Sequence, residues 1–283
     1  MIKRILTFIL AAALMSSVFL FAGCHSSEST PEETDEIKEG FDLADGKETE
    51  IGAVLEKLGL EYGMIDASLS DKSILTLFEK ELEKGKAEGY TPVILVNDSV
   101  ICRDIEYMLE NGYDVQSELQ NELPDAEAYL QERIDDLERM LGTSLDEAKG
   151  MGGMGLAASQ GFTATASASM FGIVPEIALV KLPTDKPWEA AIYIPFGGWN
   201  ECPAPLEMAA VLKLWYEKYG AVPAAISHDI LDMVSSAELS NDDALTVARQ
   251  MIAFDNDLLF MGVSANKLAN SIKRSKVWSF WWD

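Results

Sequence analysis

Residues 73–112 read SILTLFEKELEKGKAEGYTPVILVNDSVICRDIEYMLENG, and they decide the fold. Ser73 has the chemistry of a helix N-cap, and Leu75, Phe78 and Leu82 recur behind it on one helical face. Gly89 stands where such a helix stops. Tyr90 to Val96 is a short apolar run with Pro92 near its start, which predicts a buried strand. Asn97, Asp98 or Ser99 can cap a second helix, with Ile101, Ile105 and Met108 inward and Gly112 at its end. Helix, strand and helix in alternation predict an α/β layer arrangement.

The flanking sequence extends the pattern. Ile51 to Leu55 opens a helix, and Tyr62 to Ala67 predicts a strand. Residues 124–141 predict an acidic helix with Pro124 in its first turn and a stripe of Leu130, Ile134, Leu137 and Leu141. Residues 149–170 are rich in Gly, Ala, Ser and Thr and predict a mobile loop. Glu176–Leu182 and Trp188–Pro195 are expected to form a hairpin. A helix with Met208, Val211, Leu212, Trp215 and Tyr219 inward ends at Gly220, and Ala221 to Ser227 follow as a strand. Ser240 and Asp243 resemble a capping box for a helix with Ala244, Ala248, Met251 and Ile252 inward. In a terminal strand, Trp278, Phe280 and Trp282 share one face and Trp281 takes the other.

The expected fold is therefore mixed α/β (α+β). It has a single sheet flanked by helices, an acidic helical insertion and a C-terminal Trp-rich strand. Residues 1–23 read as a lipoprotein signal peptide and 24–40 as a flexible acidic tether. Residues 41–283 read as one domain, with 113–170 an insertion or mobile segment.

Lys3 and Arg4 precede an apolar run from Ile5 to Ala22, which ends in Ala22-Gly23-Cys24. A basic start, an apolar stretch and small residues at the cut form a secretory signal. The ending resembles the bacterial lipobox, although Phe21 stands where leucine is usual. That resemblance implies cleavage before Cys24, acylation of its thiol and a place on the extracytoplasmic face of the cell membrane. The alternative is an uncleaved membrane anchor of nearly the required length.

The chain carries 22 basic and 47 acidic residues, a net charge of −25. Such a surface repels nucleic acid and anionic headgroups. The expected partners are the membrane, through the N-terminal lipid, and a protein, peptide or glycan ligand, with no nucleic acid. Of three cysteines, Cys102 and Cys202 remain if Cys24 carries lipid. Their spacing indicates no disulfide framework, so two separately buried thiols are expected.

Catalytic candidates are few. Cys202, His228 and Asp229 are the one nucleophilic set available, because His228 is the sole histidine beyond the tether. Neighbouring residues of a strand point to opposite faces, so Asp229 is expected to be badly placed beside His228, leaving Asp232 or Asp257 to orient it. Zinc wants several Cys or His ligands, which are lacking. Asp255-Asn256-Asp257 lacks the glycine and terminal glutamate of a calcium loop. No metal and no cofactor is expected. Trp199, Trp281 and Trp282 are the binding candidates, as an aromatic platform for peptide or sugar. Lys267, Lys273, Arg274 and Lys276 form a basic patch suited to a helix C-terminus.

Three segments carry a family likeness: GGWNECP at 197–203, LWYEKYGAVPAAISHD at 214–229 and VWSFWWD at 277–283. Together they resemble the bacterial "domain of unknown function 4253" family over roughly residues 172–283, with a weaker echo in GKAEGYTPVILV at 85–96. The resemblance implies no activity and no catalytic residues. The expectation is thus a lipid-anchored binding module rather than an enzyme, with an envelope thiol hydrolase using Cys202 and His228 as the alternative.

Overall fold

A computed structural model describes residues 49–149, 161–170 and 174–282. The leader, Cys24, the tether to residue 40 and residues 150–160 lie outside them.

The described chain is mixed α+β, an open six-stranded sheet with eleven α-helices around it. Its elements are α1 (Glu50–Leu58), β1 (Glu61–Ile65), α2 (Asp71–Glu88), β2 (Thr91–Asn97), α3 (Ile101–Glu110) and α4 (Val115–Glu118). Then come α5 (Ala126–Leu141), α6 (Thr163–Met170), β3 (Glu176–Leu182), α7 (Ala190–Tyr193) and α8 (Pro205–Tyr219). They end with β4 (Val222–Ile226), β5 (Ile230–Val234), α9 (Asn241–Phe254), α10 (Asp257–Phe260), α11 (Ala265–Ile272) and β6 (Val277–Trp281).

The strands lie in the order β1-β3-β2-β4-β5-β6. All neighbours are antiparallel except β2 and β4, which run parallel. Every position of β2 is buried, as an interior strand covered on both faces requires. On one face Val93, Leu95, Leu231, Met233, Trp278, Phe280 and Trp282 join the main core with α1, α3, α5, α8, α9 and α11. On the other, Ile94, Val96, Ile177 and Leu179 pack with Phe78 of α2 and Phe162. β4 tolerates Pro223 because its pairing with β5 shifts register there.

Most local expectations match. Gly89 caps α2, Gly220 caps α8 and Ser240 caps α9 through the Asp243 amide. The cap of α3 is Val100 rather than Asn97, Asp98 or Ser99, and Asp98, two residues before it, supports the turn, its Oδ1 accepting from the amides of Val100 at 3.1 Å and Ile101 at 3.3 Å. The terminal strand alternates as expected, with Trp278, Phe280 and Trp282 buried and Trp281 turned to the other face.

Four further expectations need correction. The cap of α2 is Ser70, whose Oγ accepts from the amide of Ser73. Pro124 lies before α5, whose cap is Asp125. Trp188–Pro195 forms no hairpin strand. β3 already pairs with β1 on one side and β2 on the other, so no edge is free. Residues 187–193 instead make a short 3₁₀ turn and α7, with Ala190 to Tyr193 all buried. Finally, the expected loop ends early, because residues 163–170 are helical. Phe162 lies edge-on to Phe78 at 5.7 Å, and Thr165 Oγ1 donates to Asp71 at 2.7 Å. Gly161 leaves no room for a side chain, since a Cβ there would sit 2.4 Å from that of Asp71.

The acidic helix α5 is docked on the core. Leu130 and Leu137 are buried, and Arg133 Nε donates to the Ala253 carbonyl at 2.6 Å.

Candidate functional site

The parallel pair β2 and β4 sets the site. Chain leaving β2 passes through Asp98, and chain leaving β4 passes through Ser227 and His228, so both turns emerge at the same end of the sheet. β6 ends there too, with Trp281 opposite Ile230. Carboxyl ends of strands are where open α/β sheets commonly place ligands.

At this edge His228 Nδ1 donates to Oδ2 of Asp98 and lies 3.4 Å from Oδ1 of Asp229. One ligand-type atom from each of the three residues lies within 4.8 Å of the others. Each carboxylate is also held from outside the trio. Asp98 receives the two amides of the α3 turn. Asp229 Oδ2 receives the indole N–H of Trp281 at 2.7 Å, and its Oδ1 receives the Ser227 hydroxyl at 3.2 Å. The three side chains are partly open, at 31% for His228, 14% for Asp98 and 18% for Asp229.

Burial works against charge on the imidazole. The Asp98 hydrogen bond and the charges of Asp229, Asp98 and Asp104 outweigh it, so the His228 pKa is raised above 6.5. Burial also opposes ionisation of Asp98, but His228 and the two amides hold its pKa below the ordinary value. Asp229 goes the other way: burial raises its pKa despite His228 and Trp281. With Nδ1 held between carboxylates, the Nε2 of His228 can donate to an acceptor when the ring is protonated and accept from a donor when it is neutral.

The placement of Asp229 corrects the expectation from strand geometry. His228 and Asp229 lie in the turn between β4 and β5, where the rule of alternating faces does not apply. Asp232, offered as a substitute, is fully buried on β5 and accepts from Ser279 and the Ala164 amide. Asp257 is buried at the start of α10, where its amide donates to Asp255 Oδ1. Asp255-Asn256-Asp257 is thus a linker between helices. The Asp255 carboxylate also accepts from the Trp281 amide at 2.9 Å.

Cys202 does not join the trio. It is 4% exposed, and burial, then the charges of Asp255 and Asp229, push its thiol pKa far up. Cys102 is likewise buried, its thiol pushed up to about 12, and both thiols are free. Two separate buried thiols match the expectation from spacing. Cys202 anchors a turn: its amide donates to the Trp199 carbonyl at 2.9 Å, and the Cys202 carbonyl accepts from the Gly198 amide at 3.2 Å.

Gly197 in this turn has φ +85°, and a Cβ there would meet the Pro203 carbonyl oxygen at 2.3 Å. The left-handed backbone alone costs an ordinary residue roughly 1–2 kcal/mol. With the backbone clash added, Gly197→Ala is expected to lose about 3 kcal/mol of stability, read as a lower urea midpoint. A loss below about 1 kcal/mol would show that the turn yields freely.

The aromatic candidates separate. Trp281 is half-buried beside Asp229, and Trp199 is half-buried in the turn. Trp282 is corrected: at 1% exposure it packs on Phe196, Phe254 and Phe280 and offers no open ring. Of the basic patch, Lys273, Arg274 and Lys276 follow the C-terminus of α11, and Lys276 pairs with Glu79 at 3.3 Å; Lys267 is corrected, since it lies in the first turn of that helix and its Nζ donates to the Gly262 carbonyl at 3.4 Å. A shallow recess lined by Gly89, Pro183, Thr184, Lys186 and Tyr193 lies at the opposite end of β2. Its Glu189 already holds Lys186 and Thr184, so it provides no candidate.

Sequence reasoning missed Asp98 as a site residue because its capping role accounted for it. The signal that could have found it is positional, an acid directly after a buried strand that a second buried strand parallels. No curated protein and no solved structure matches the chain. The domain that supplies His228, Asp229 and Trp281 is nonetheless identifiable: residues 178–283 match the family described as a domain of unknown function (DUF4253).

Proposed function

We propose that this chain is a lipid-anchored binding module on the outer face of a bacterial membrane, and that it recognises its ligand at the edge formed by Asp98, His228, Asp229 and Trp281. The single observation behind the binding reading is that trio. It joins an imidazole and two oriented carboxylates, all partly open to solvent, beside a half-buried indole. Such a set suits the polar groups of a peptide or glycan, with the indole supplying apolar contact. The strong negative charge of the chain opposes a nucleic-acid ligand.

The leader ending in Ala22-Gly23-Cys24 supports the anchor. Each buried methylene of an acyl chain contributes about 0.8 kcal/mol, so two or more chains hold a protein firmly. Among the described residues no helix is long and apolar enough to cross a membrane. The thiol-hydrolase alternative requires an ionised Cys202 at neutral pH, which its burial opposes.

Two measurements test this reading. Cys24→Ala is expected to abolish labelling by a fatty-acid probe and to move the protein out of the membrane fraction. Retention of that variant after an alkaline wash would end the acyl-anchor reading. A photo-crosslinker at the exposed position 99, beside Asp98, in native membranes, is expected to give adducts that Asp98→Asn and Asp229→Asn remove. Adducts no more frequent than those from the exposed Tyr107 position would end the binding reading.

A further inference from the structure

We infer that Asp98, His228 and Asp229 form a binding site for a divalent first-row transition cation, held by His228 Nδ1 and one oxygen of each carboxylate. The inference rests on the same edge being the functional site, and it names the ligand that edge takes first.

The donor set carries the argument. One imidazole nitrogen and two carboxylate oxygens are ligands that zinc and manganese accept, and three protein ligands leave further positions for water or a ligand group. These ions hold N and O donors at about 2.0–2.2 Å, which puts neighbouring donors roughly 3.3 Å apart. Asp229 Oδ1 already lies 3.4 Å from His228 Nδ1. Asp98 lies closer, hydrogen-bonded to the same nitrogen, so an ion would replace the proton that now joins them.

The surroundings are those of an oriented ligand set. In metal sites, groups outside the first ligands fix their direction. Here the Trp281 indole and the Ser227 hydroxyl hold Asp229, and two backbone amides hold Asp98. Charge also favours a cation. Asp98, Asp229 and Asp104 surround one imidazole, with Arg103 beside Asp104. The trio draws on two chain regions 130 residues apart, so it exists only in the folded protein. The sequence expectation of no metal counted Cys and His and could not pair Asp98 with His228.

Calorimetric titration of the full chain, purified in detergent and treated with chelator, tests the site with ZnCl2, MnCl2 and MgCl2 separately. One Zn²⁺ per chain is expected, with Mn²⁺ weaker and Mg²⁺ weaker still. His228→Gln should weaken Zn²⁺ binding about 100-fold or more, and Trp281→Phe, which removes the indole hydrogen bond to Asp229, about 10- to 100-fold. His25→Ala should change nothing, which controls for the other imidazole of the chain, beside Cys24. Circular dichroism establishes that each variant is folded. If His228→Gln does not fold, Asp229→Asn and Trp281→Phe carry the same expectation. Absence of Zn²⁺ binding at about 100 μM, equal binding of Mg²⁺, or full binding by folded His228→Gln would overturn the inference. Crosslinking at position 99 with chelator present separates the two readings. Adducts that persist in a chain without measurable Zn²⁺ affinity leave the binding reading standing and remove the metal.

Discussion

Trp215→Ala is expected to lose about 5 kcal/mol of folding stability, enough to leave the chain largely unfolded or loosely packed near neutral pH. Trp215 is fully buried at the centre of the main core. Its ring stacks on Phe280 at 5.4 Å and meets Phe254 edge-on at 5.2 Å and Trp278 at 6.2 Å. Truncating a buried tryptophan costs about 3–5 kcal/mol through lost transfer and the cavity left behind. Three ring contacts would go together, and each is worth about 0.5–1.5 kcal/mol beyond area. The indole N–H also donates to Gln250 Oε1 at 3.0 Å, so truncation strands that acceptor. Trp215→Phe keeps a stacked ring and should lose roughly 2 kcal/mol. Urea unfolding followed by circular dichroism measures both. A loss below about 2 kcal/mol for the alanine variant would show that the aromatic cluster repacks.

Asp232 governs the second large effect, through pH. It is 0% exposed on β5, and burial raises its pKa from 3.8 to about 7 against the hydrogen bonds from Ala164, Ser279 and Thr163. A native pKa above the unfolded one means that the folded state binds the proton more tightly. The contribution to stability is therefore full below about pH 4 and is lost as pH rises to about 7. At about 1.36 kcal/mol per unit, the loss between about pH 5 and pH 8 is on the order of 3 kcal/mol. Asp232→Asn removes the titration while keeping a carbonyl for the Ala164 amide. The difference in urea stability between wild type and Asp232→Asn should thus move in favour of the variant as pH rises. Taking a difference cancels the opposite trend of Asp98 and the parallel one of Asp255. A difference that is flat over that range would show that Asp232 ionises as an exposed carboxyl does. The group matters for architecture because it docks the start of α6 on the sheet, together with the Thr163–Ser279 hydroxyl bond of 2.8 Å.

Helix ends and apolar spacing were legible in the sequence because they are short-range signals. Gly89, Gly220 and Ser240 act within one turn of their own helices, so no tertiary information was needed to read them. The alternation of Trp278, Phe280 and Trp282 was equally local. Trp188–Pro195 misled because its apolar residues fit a strand as well as a buried short helix. The choice between them depended on whether β3 had a free edge, which is a property of the whole sheet. Residues 161–170 misled for a related reason. Small residues predict mobility only when nothing buries them, and Asp71, Phe78 and Asp232 do so from distant parts of the chain.

The candidate site divides along the same line. By itself the sequence determined the residue types: a single histidine beyond the tether, an acid following it, a tryptophan-rich last strand and a large excess of negative charge. It also determined that Asp98 follows a buried strand. Only the tertiary structure decided that β2 and β4 lie side by side and parallel, which brings Asp98 to His228 across 130 residues. The turn after β4 released Asp229 from strand alternation, and the pairing of β5 with β6 set the Trp281 indole against it. Hydrophobic spacing and capping are fixed by bonds along the chain, whereas a polar cluster is fixed by which strand ends the buried sheet places together.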